Sequence, residues 1–402
     1  MNSLLKTKKI FLDIILNLIG SFFVTGVSQL IVYPFLANRL GENSFGSMLT
    51  LIGLSNVIGV VLGNSLNNVK ILNNNKYIDN NINGDFKYLL NKSIITSILS
   101  MVIVVILFNN QINKVNSIIL ILLTVLIIYR GYLNAYYRIN LRYNLILVQM
   151  IVTGLGYLIG LFLFKILGLW TVVFLSGEMA CYIFSYYTTE YKYEKNHKTK
   201  LFYETKNQFI QLVSSNLVVN LLLYADRLLI NPFLGASNVT IYYVSSIVGK
   251  VFGIVLQPIS SVILTYLSKI REINKKNLFF IMTISIFISG IIGYFIIIKI
   301  TPLIIYIFYR NVLKQALIYS NIANLSVIFM IMGSLIQPYT LKFSDIKWQT
   351  IIQSLYGITY IVSSLILMSL YGLMGFCIAS MLSNFLRLIL FLIIGYLYIE
   401  ER

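Results

Sequence analysis

Five ionisable residues stand inside otherwise apolar stretches of this 402-residue chain: Glu178, Asp226, Arg227, Lys250 and Arg387. A charge among apolar neighbours is expensive to desolvate, so such residues face a cavity, a partner or a passing ligand. Three of the five are bases. Guanidinium and ammonium groups held away from water neutralise anions, and the planar arginine fork matches phosphate oxygens. The set therefore fits a cationic cavity for an anionic cargo, with Arg227, Lys250 and Arg387 as candidate substrate-binding residues. Glu178 and Asp226 are candidates for coupling to a proton or sodium ion, because a carboxylate shielded from water holds a proton more readily. In-span amides such as Gln149, Asn216, Gln337 and Asn384 offer hydrogen bonds to sugar hydroxyls.

A structural role competes with this reading. Asp226 and Lys250 fall on consecutive antiparallel spans at depths differing by roughly 6–8 Å at ~1.5 Å per residue, so a lysine side chain could close the gap as a buried ion pair. Asp226 and Arg227 are neighbours in sequence and diverge around a helix, so only one of them points into any single cavity.

Bond chemistry has little to work with. The single His197 lies in a Lys-rich segment, and Cys181 and Cys377 are isolated within apolar blocks. That pattern supports neither a metal site, nor a disulfide framework, nor histidine-based catalysis. Gly249-Lys250-Val251 lacks the upstream glycine and the hydroxyl of a nucleotide-binding loop. No cofactor and no enzymatic activity are expected.

The elements that must position these charges are membrane helices. Hydrophobic residues make up 58% of the chain and charged residues 11%, against about 25% charged in a soluble domain. The apolar residues fall in blocks of about 20, each long enough to cross a ~30 Å hydrocarbon core. The blocks run 10–33, 44–66, 88–108, 115–137, 144–164, 170–190, 208–231, 241–265, 278–300, 316–340, 350–370 and 373–398. The first follows Lys6, Lys8 and Lys9 and continues past Ile31 without a small-residue cleavage site, so it reads as a span rather than a leader.

Orientation follows from the basic residues. With the N-terminus inside, the inner segments carry clusters such as Lys70, Lys76, Lys87 and Lys92, then Arg130, Arg138 and Arg142, then Lys192, Lys195, Lys198, Lys200 and Lys206. The outer segments carry only Arg39, Lys114, Lys165, Lys299, Arg310 and Lys314. Both termini are thus expected in the cytoplasm. The net charge of +18 answers anionic membrane lipids rather than a nucleic acid. Paired tyrosines near span ends, Tyr136-Tyr137, Tyr186-Tyr187 and Tyr242-Tyr243, read as interfacial anchors.

The longest polar stretch, Glu190 to Lys206, separates six spans from six. At an offset of 194 residues, Leu40-Gly41 aligns with Leu234-Gly235 and Gly59 with Gly253. The expected fold is all-α: a polytopic membrane protein of about 12 transmembrane helices in two parallel six-helix bundles around a central cavity. The bundles are expected over residues 1–200 and 201–402. The repeat is imperfect at one corner, where Thr240 stands at the register of Gly46.

The stretch from Tyr33 through Leu40-Gly41 to Gly46 resembles the first span end of bacterial polysaccharide flippases. Tyr224-Ala-Asp-Arg through Leu234-Gly235, followed by Ile241-Tyr242-Tyr243, is similar to their seventh span. These are the Wzx-type members of the multidrug/oligosaccharidyl-lipid/polysaccharide exporter superfamily. The resemblance implies translocation of an undecaprenyl-diphosphate-linked oligosaccharide from the inner to the outer leaflet of the bacterial cytoplasmic membrane. That unit would feed O-antigen, capsule or exopolysaccharide assembly, with a polysaccharide polymerase as downstream partner. The alternatives are a multidrug exporter of the same superfamily, whose cargo would be cationic, and a membrane polysaccharide polymerase, which would carry a large outer loop. A lipid II flippase usually has more spans than this chain.

Overall fold

A computed structural model describes residues 2–80, 82–269, 275–345 and 347–398. Among these residues every regular element is helical. Arg271 and Arg402, two further bases that the same orientation places inside, lie outside the described residues.

The first span is composite. Helix α1 (Asn2–Gly26) passes through a π-helical turn, Val27–Val32, into α2 (Tyr33–Leu40). Four long helices follow: α3 (Glu42–Asp79), α4 (Asp85–Leu107), α5 (Lys114–Ile139) and α6 (Tyr143–Leu167). Helix α7 (Trp170–Thr188) closes the first six. The seventh span is also broken: α8 (Phe202–Leu223) and α9 (Ala225–Leu234) meet at a 58° bend. Then come α10 (Ala236–Lys269), α11 (Lys275–Phe308), α12 (Leu313–Phe343) and α13 (Lys347–Leu397). Gly372, at φ 57° and ψ −137°, divides α13 into the eleventh and twelfth spans.

Among the described residues, eight helices are long and apolar enough to cross a membrane, or nine with the bent pair as one span. The second half of α13, together with α7 and α10, accounts for the rest of the twelve expected from sequence. Large apolar side chains such as Leu107, Ile166, Phe162 and Phe295 stand exposed. Such a surface suits hydrocarbon, not water.

The chain divides into two compact units. One comprises residues 1–36 and 47–228, and the other comprises 37–46 and 229–402. In the first, α6 and α7 pack closely because both present glycine. A Cβ on Gly156 would stand 2.6 Å from Gly177 Cα, and one on Gly160 would stand 2.6 Å from Val173 Cα. Small residues four apart let two membrane helices touch backbone to backbone. In the second unit the core gathers Ile328, Ile331 and Met332 of α12 with Leu388 and Phe391 of α13.

The repeat is visible in these helices. Gly41 ends α2 at φ +78° and Gly235 ends α9 at φ +88°. Gly59 of α3 abuts Ile127 on the fourth span of its half, and Gly253 of α10 abuts Ile331 on the fourth span of its own.

The tyrosine pairs depart from their reading as interfacial anchors. Tyr137, Tyr242 and Tyr243 are buried within their units, whereas Tyr187 is exposed. Buried phenols need hydrogen-bond partners, and Tyr137 finds one in Thr188.

Candidate functional site

The close packing of α6 on α7 places Tyr157 beside Glu178. The Tyr157 hydroxyl donates to Glu178 Oε1 at 2.9 Å. Arg130, from α5, donates to the same oxygen at 2.5 Å. Glu178 is only 2% exposed, and its second oxygen, Oε2, is buried without a hydrogen-bond partner. Sequence reading assigned Arg130 to an inner loop. The structure corrects that placement, because α5 continues beyond Arg130 to Ile139. Arg130 supplies the counter-charge that a buried carboxylate calls for.

Arg227 and Asp226 sit in the first turn of α9, just after the break at Tyr224. Asp226 Oδ1 accepts from the Arg227 backbone N–H at 2.8 Å, much as a capping acid does. The Arg227 side chain leaves in another direction. Its Nη1 lies 3.4 Å from the Leu49 carbonyl, and its guanidinium is 5.3 Å from the Tyr224 ring centroid. It passes close to Gly53 of α3. Tyr33 occupies in the first half the register position that Arg227 occupies in the second.

These groups form one cluster inside the first unit. Tyr224 lies in the field of Arg227, Tyr33 and Arg130. Tyr157 lies in the field of Glu178, Arg130 and Tyr33. Arg130 and Tyr157 meet on Glu178, Tyr33 and Tyr157 both pack on Phe174, and Arg227 lies beside Tyr224, with Asp226 at the start of the same helix. Such a set can bind an oxyanion through charged and phenolic donors. Sequence reading missed Arg130, Tyr33 and Tyr157. The signal for Arg130 was its position directly after Ile127-Ile128-Tyr129, within an apolar run.

The second unit holds the other two bases separately. Lys250 of α10 is half-buried over the rings of Tyr242 and Tyr243, at 5.2 and 5.8 Å. Arg387, on the second half of α13, lies between Tyr356 and Phe391, at 5.4 and 5.5 Å from their centroids. It donates to Gln337 Oε1 at 3.4 Å, while its Nε is buried without a partner. Gln337 continues through Gln349 to Thr340. Asn384, one turn before Arg387, bonds Ser326. Asp226 belongs to the first unit and Lys250 to the second. Among the described residues no group of three or more His, Cys, Asp or Glu side chains could hold a metal ion.

No family profile and no curated protein matches the sequence. Solved structures do. The lipid II flippase MurJ in an inward closed conformation superposes with a TM-score of 0.67 at 16% identity, over 97% of this chain and 87% of that one. An inward-facing multidrug resistance MATE transporter of the MOP superfamily gives 0.64 at 14% identity, over 96% and 94%. An outward-facing MATE transporter gives 0.61 at 12% identity, over 96% and 95%. The chain thus has the fold shared by these flippases and exporters, along almost its whole length.

Proposed function

We propose that the protein is a flippase that carries an undecaprenyl-diphosphate-linked oligosaccharide from the inner to the outer leaflet of the bacterial cytoplasmic membrane, with both termini in the cytoplasm. The observation that carries this reading is the Arg130–Glu178 pair at 2.5 Å, with Arg227 as a second guanidinium in the same unit. A cationic drug would meet Arg130 and Arg227 first, which disfavours multidrug export. A diphosphate is drawn to both.

The pair also suggests how transport is driven. A diphosphate competes with Glu178 for Arg130. Once it wins, the buried carboxylate has lost its cation and is stable only if neutralised. A proton on Oε2 meets that need, with a sodium ion as the other candidate. Loading and counter-ion uptake are then two halves of one exchange. Arg227 contributes a second guanidinium from the same unit, and Lys250 and Arg387 supply further bases along the route. Amides such as Gln337 and Asn384 hold sugar hydroxyls. Released product is consumed by a polymerase, which draws the cycle forward.

The test is mass spectrometry of undecaprenyl-linked intermediates in a strain lacking the protein. A complete oligosaccharide unit accumulating on the lipid, with surface polysaccharide lost, supports the flippase and identifies its cargo. Unchanged intermediates with new sensitivity to cationic drugs overturn it in favour of the exporter.

A further inference from the structure

The segment between α7 and α8, residues 189–201, holds one 3-10 turn, Glu190–Tyr193, and little other regular structure. It is nonetheless anchored in the first unit by two buried acids: Asp85, which accepts from the Thr199 backbone N–H at 2.7 Å and from its hydroxyl, and Glu194. The Glu194 carboxylate accepts from Lys70 Nζ at 3.1 Å, from the Tyr136 hydroxyl at 2.9 Å and from the Tyr132 hydroxyl. Its backbone carbonyl accepts from Lys87 Nζ at 2.9 Å. Lys70 is 6% exposed and stands over the rings of Tyr136, Tyr132 and Phe86, at 3.4, 4.5 and 5.8 Å. Tyr191 packs edge-on against Tyr129, Tyr132 and Tyr186. Burial, with the adjacent Tyr129, holds its phenol above the usual range, so it contributes a neutral ring.

Apart from Glu194 itself, this arrangement is a receptor for an oxyanion. One ammonium and two phenolic hydroxyls converge on a point, with a second ammonium beside it. The donors come from α3, α4 and α5, which share a core of Leu66, Val69, Leu89, Leu90, Ile128 and Leu133. The acid comes from a loop whose Lys192, Tyr193, Lys195 and Lys198 side chains are exposed. Those lysines raise the local concentration of anions. A buried ammonium without a counter-charge is strongly disfavoured. An anion that takes the place of Glu194 keeps Lys70 paired as the loop leaves.

We propose that the Lys70–Tyr132–Tyr136 pocket is a binding site for a phosphate-type headgroup, and that Glu194 is its internal occupant, exchanged when such a group arrives. The flippase reading supplies only the physiological ligand, a lipid-linked diphosphate docking before it is flipped. The anion chemistry stands on the pocket alone.

The experiment uses the full chain in phosphatidylcholine nanodiscs, with pyrophosphate as the probe and sodium chloride at matched ionic strength as the control. Trypsin cleavage at Lys192, Lys195 and Lys198 reports displacement of the loop. Pyrophosphate is expected to accelerate cleavage of the wild type. Glu194→Gln is expected to lower the half-maximal pyrophosphate concentration about tenfold or more, since the internal competitor no longer holds the site closed. Adding Lys70→Gln to that variant is expected to abolish the response. If Glu194→Gln does not purify, a label on Tyr193→Cys carries the same titration, because Cys181 and Cys377 are buried. Nanodiscs containing phosphatidylglycerol, without pyrophosphate, distinguish the sources. Faster cleavage there identifies a membrane headgroup as a sufficient ligand, and its absence assigns the site to a diphosphate. No acceleration in either arm, or a Glu194→Gln titration that coincides with the wild type, overturns the proposal. Neither result depends on transport, so the intermediates in the deletion strain decide the flippase reading separately.

Discussion

Arg130 and Glu178 meet at 2.5 Å between α5 and α7, and only one of the two carboxylate oxygens is engaged. The asymmetry matters. Oε1 carries the guanidinium and the Tyr157 hydroxyl, while Oε2 faces no donor. The Arg130 side chain is 30% exposed against 3% for that of Glu178, so the base is reachable and the acid is not. A ligand can take Arg130 without touching Glu178, which is the geometry an exchange requires.

The first prediction separates stability from transport at this pair. Arg130→Ala leaves Glu178 buried without a cation, a loss of up to about 3–5 kcal/mol, tempered by protonation of the acid. Glu178→Gln removes the acid but keeps its shape. The double variant should recover most of the melting temperature lost in Arg130→Ala, because the orphaned charge is gone. Transport of lipid-linked sugar into the outer leaflet should remain lost. Recovery of transport in the double variant would make the pair purely structural. Glu178→Gln alone should flatten the dependence of transport on external pH.

The second prediction concerns Gly177. A Cβ there would stand 2.1 Å from Tyr157 Cδ1 and 2.8 Å from the Thr153 carbonyl. Gly177→Ala should therefore displace Tyr157 from Glu178 and cost about 1–3 kcal/mol through overpacking. Gly26→Ala is the control, since a Cβ at Gly26 meets nothing within 4 Å. Thermal unfolding of the two variants should differ clearly, with Gly26→Ala at or above the wild type.

A third prediction tests Arg387. Lysine keeps the charge but loses the guanidinium that lies near the Tyr356 and Phe391 rings and bonds Gln337. Arg387→Lys should reduce transport while Arg387→Met abolishes it, if the guanidinium meets cargo. Wild-type rates for Arg387→Met, measured by outer-leaflet labelling of lipid-linked sugar, would remove Arg387 from the route.

The span architecture was legible in the sequence because a membrane helix is written as an unbroken apolar block. The break at Gly372 was legible too, as the glycine after Tyr371 between two such blocks. Polar partners were not. Arg130 lies in an apolar run near several inner-loop bases, and counting charges by loop moved it outside its own helix. Tyr33 and Tyr157 are distant in sequence from Arg227 and Glu178, and only the packing of α6 on α7 and the break before α9 bring them together. Glu194 looked like one acid in a solvated Lys-rich stretch. Its burial depends on Lys70, Tyr132 and Tyr136, which sequence cannot place in one pocket.

The last prediction comes from the corner where the repeat departs from symmetry. Gly46 and Thr240 share a register position but do different things. A Cβ on Gly46 would lie 1.7 Å from the Ala236 carbonyl oxygen, so only glycine permits that approach. Thr240, in turn, donates its hydroxyl to the Glu42 carbonyl at 2.6 Å. Glu42 and Ala236 are themselves register mates, so each member of the second pair receives the residue equivalent to its own neighbour's. One contact needs absence of a side chain and the other needs a hydroxyl. Gly46→Thr, which would make the repeat regular, should therefore destabilise by several kcal/mol, because the clash is with backbone and cannot be relieved by a rotamer. Thr240→Gly should cost roughly 1–2 kcal/mol, for the lost hydrogen bond and the added chain freedom in a helix. Gly41 tests a different property. It has φ +78° but open space around it, so Gly41→Asn should be tolerated where Gly41→Val is not. Melting temperatures of the four variants in detergent would rank Gly46→Thr lowest. A stable Gly46→Thr would show that α3 and α10 do not approach this closely in the membrane.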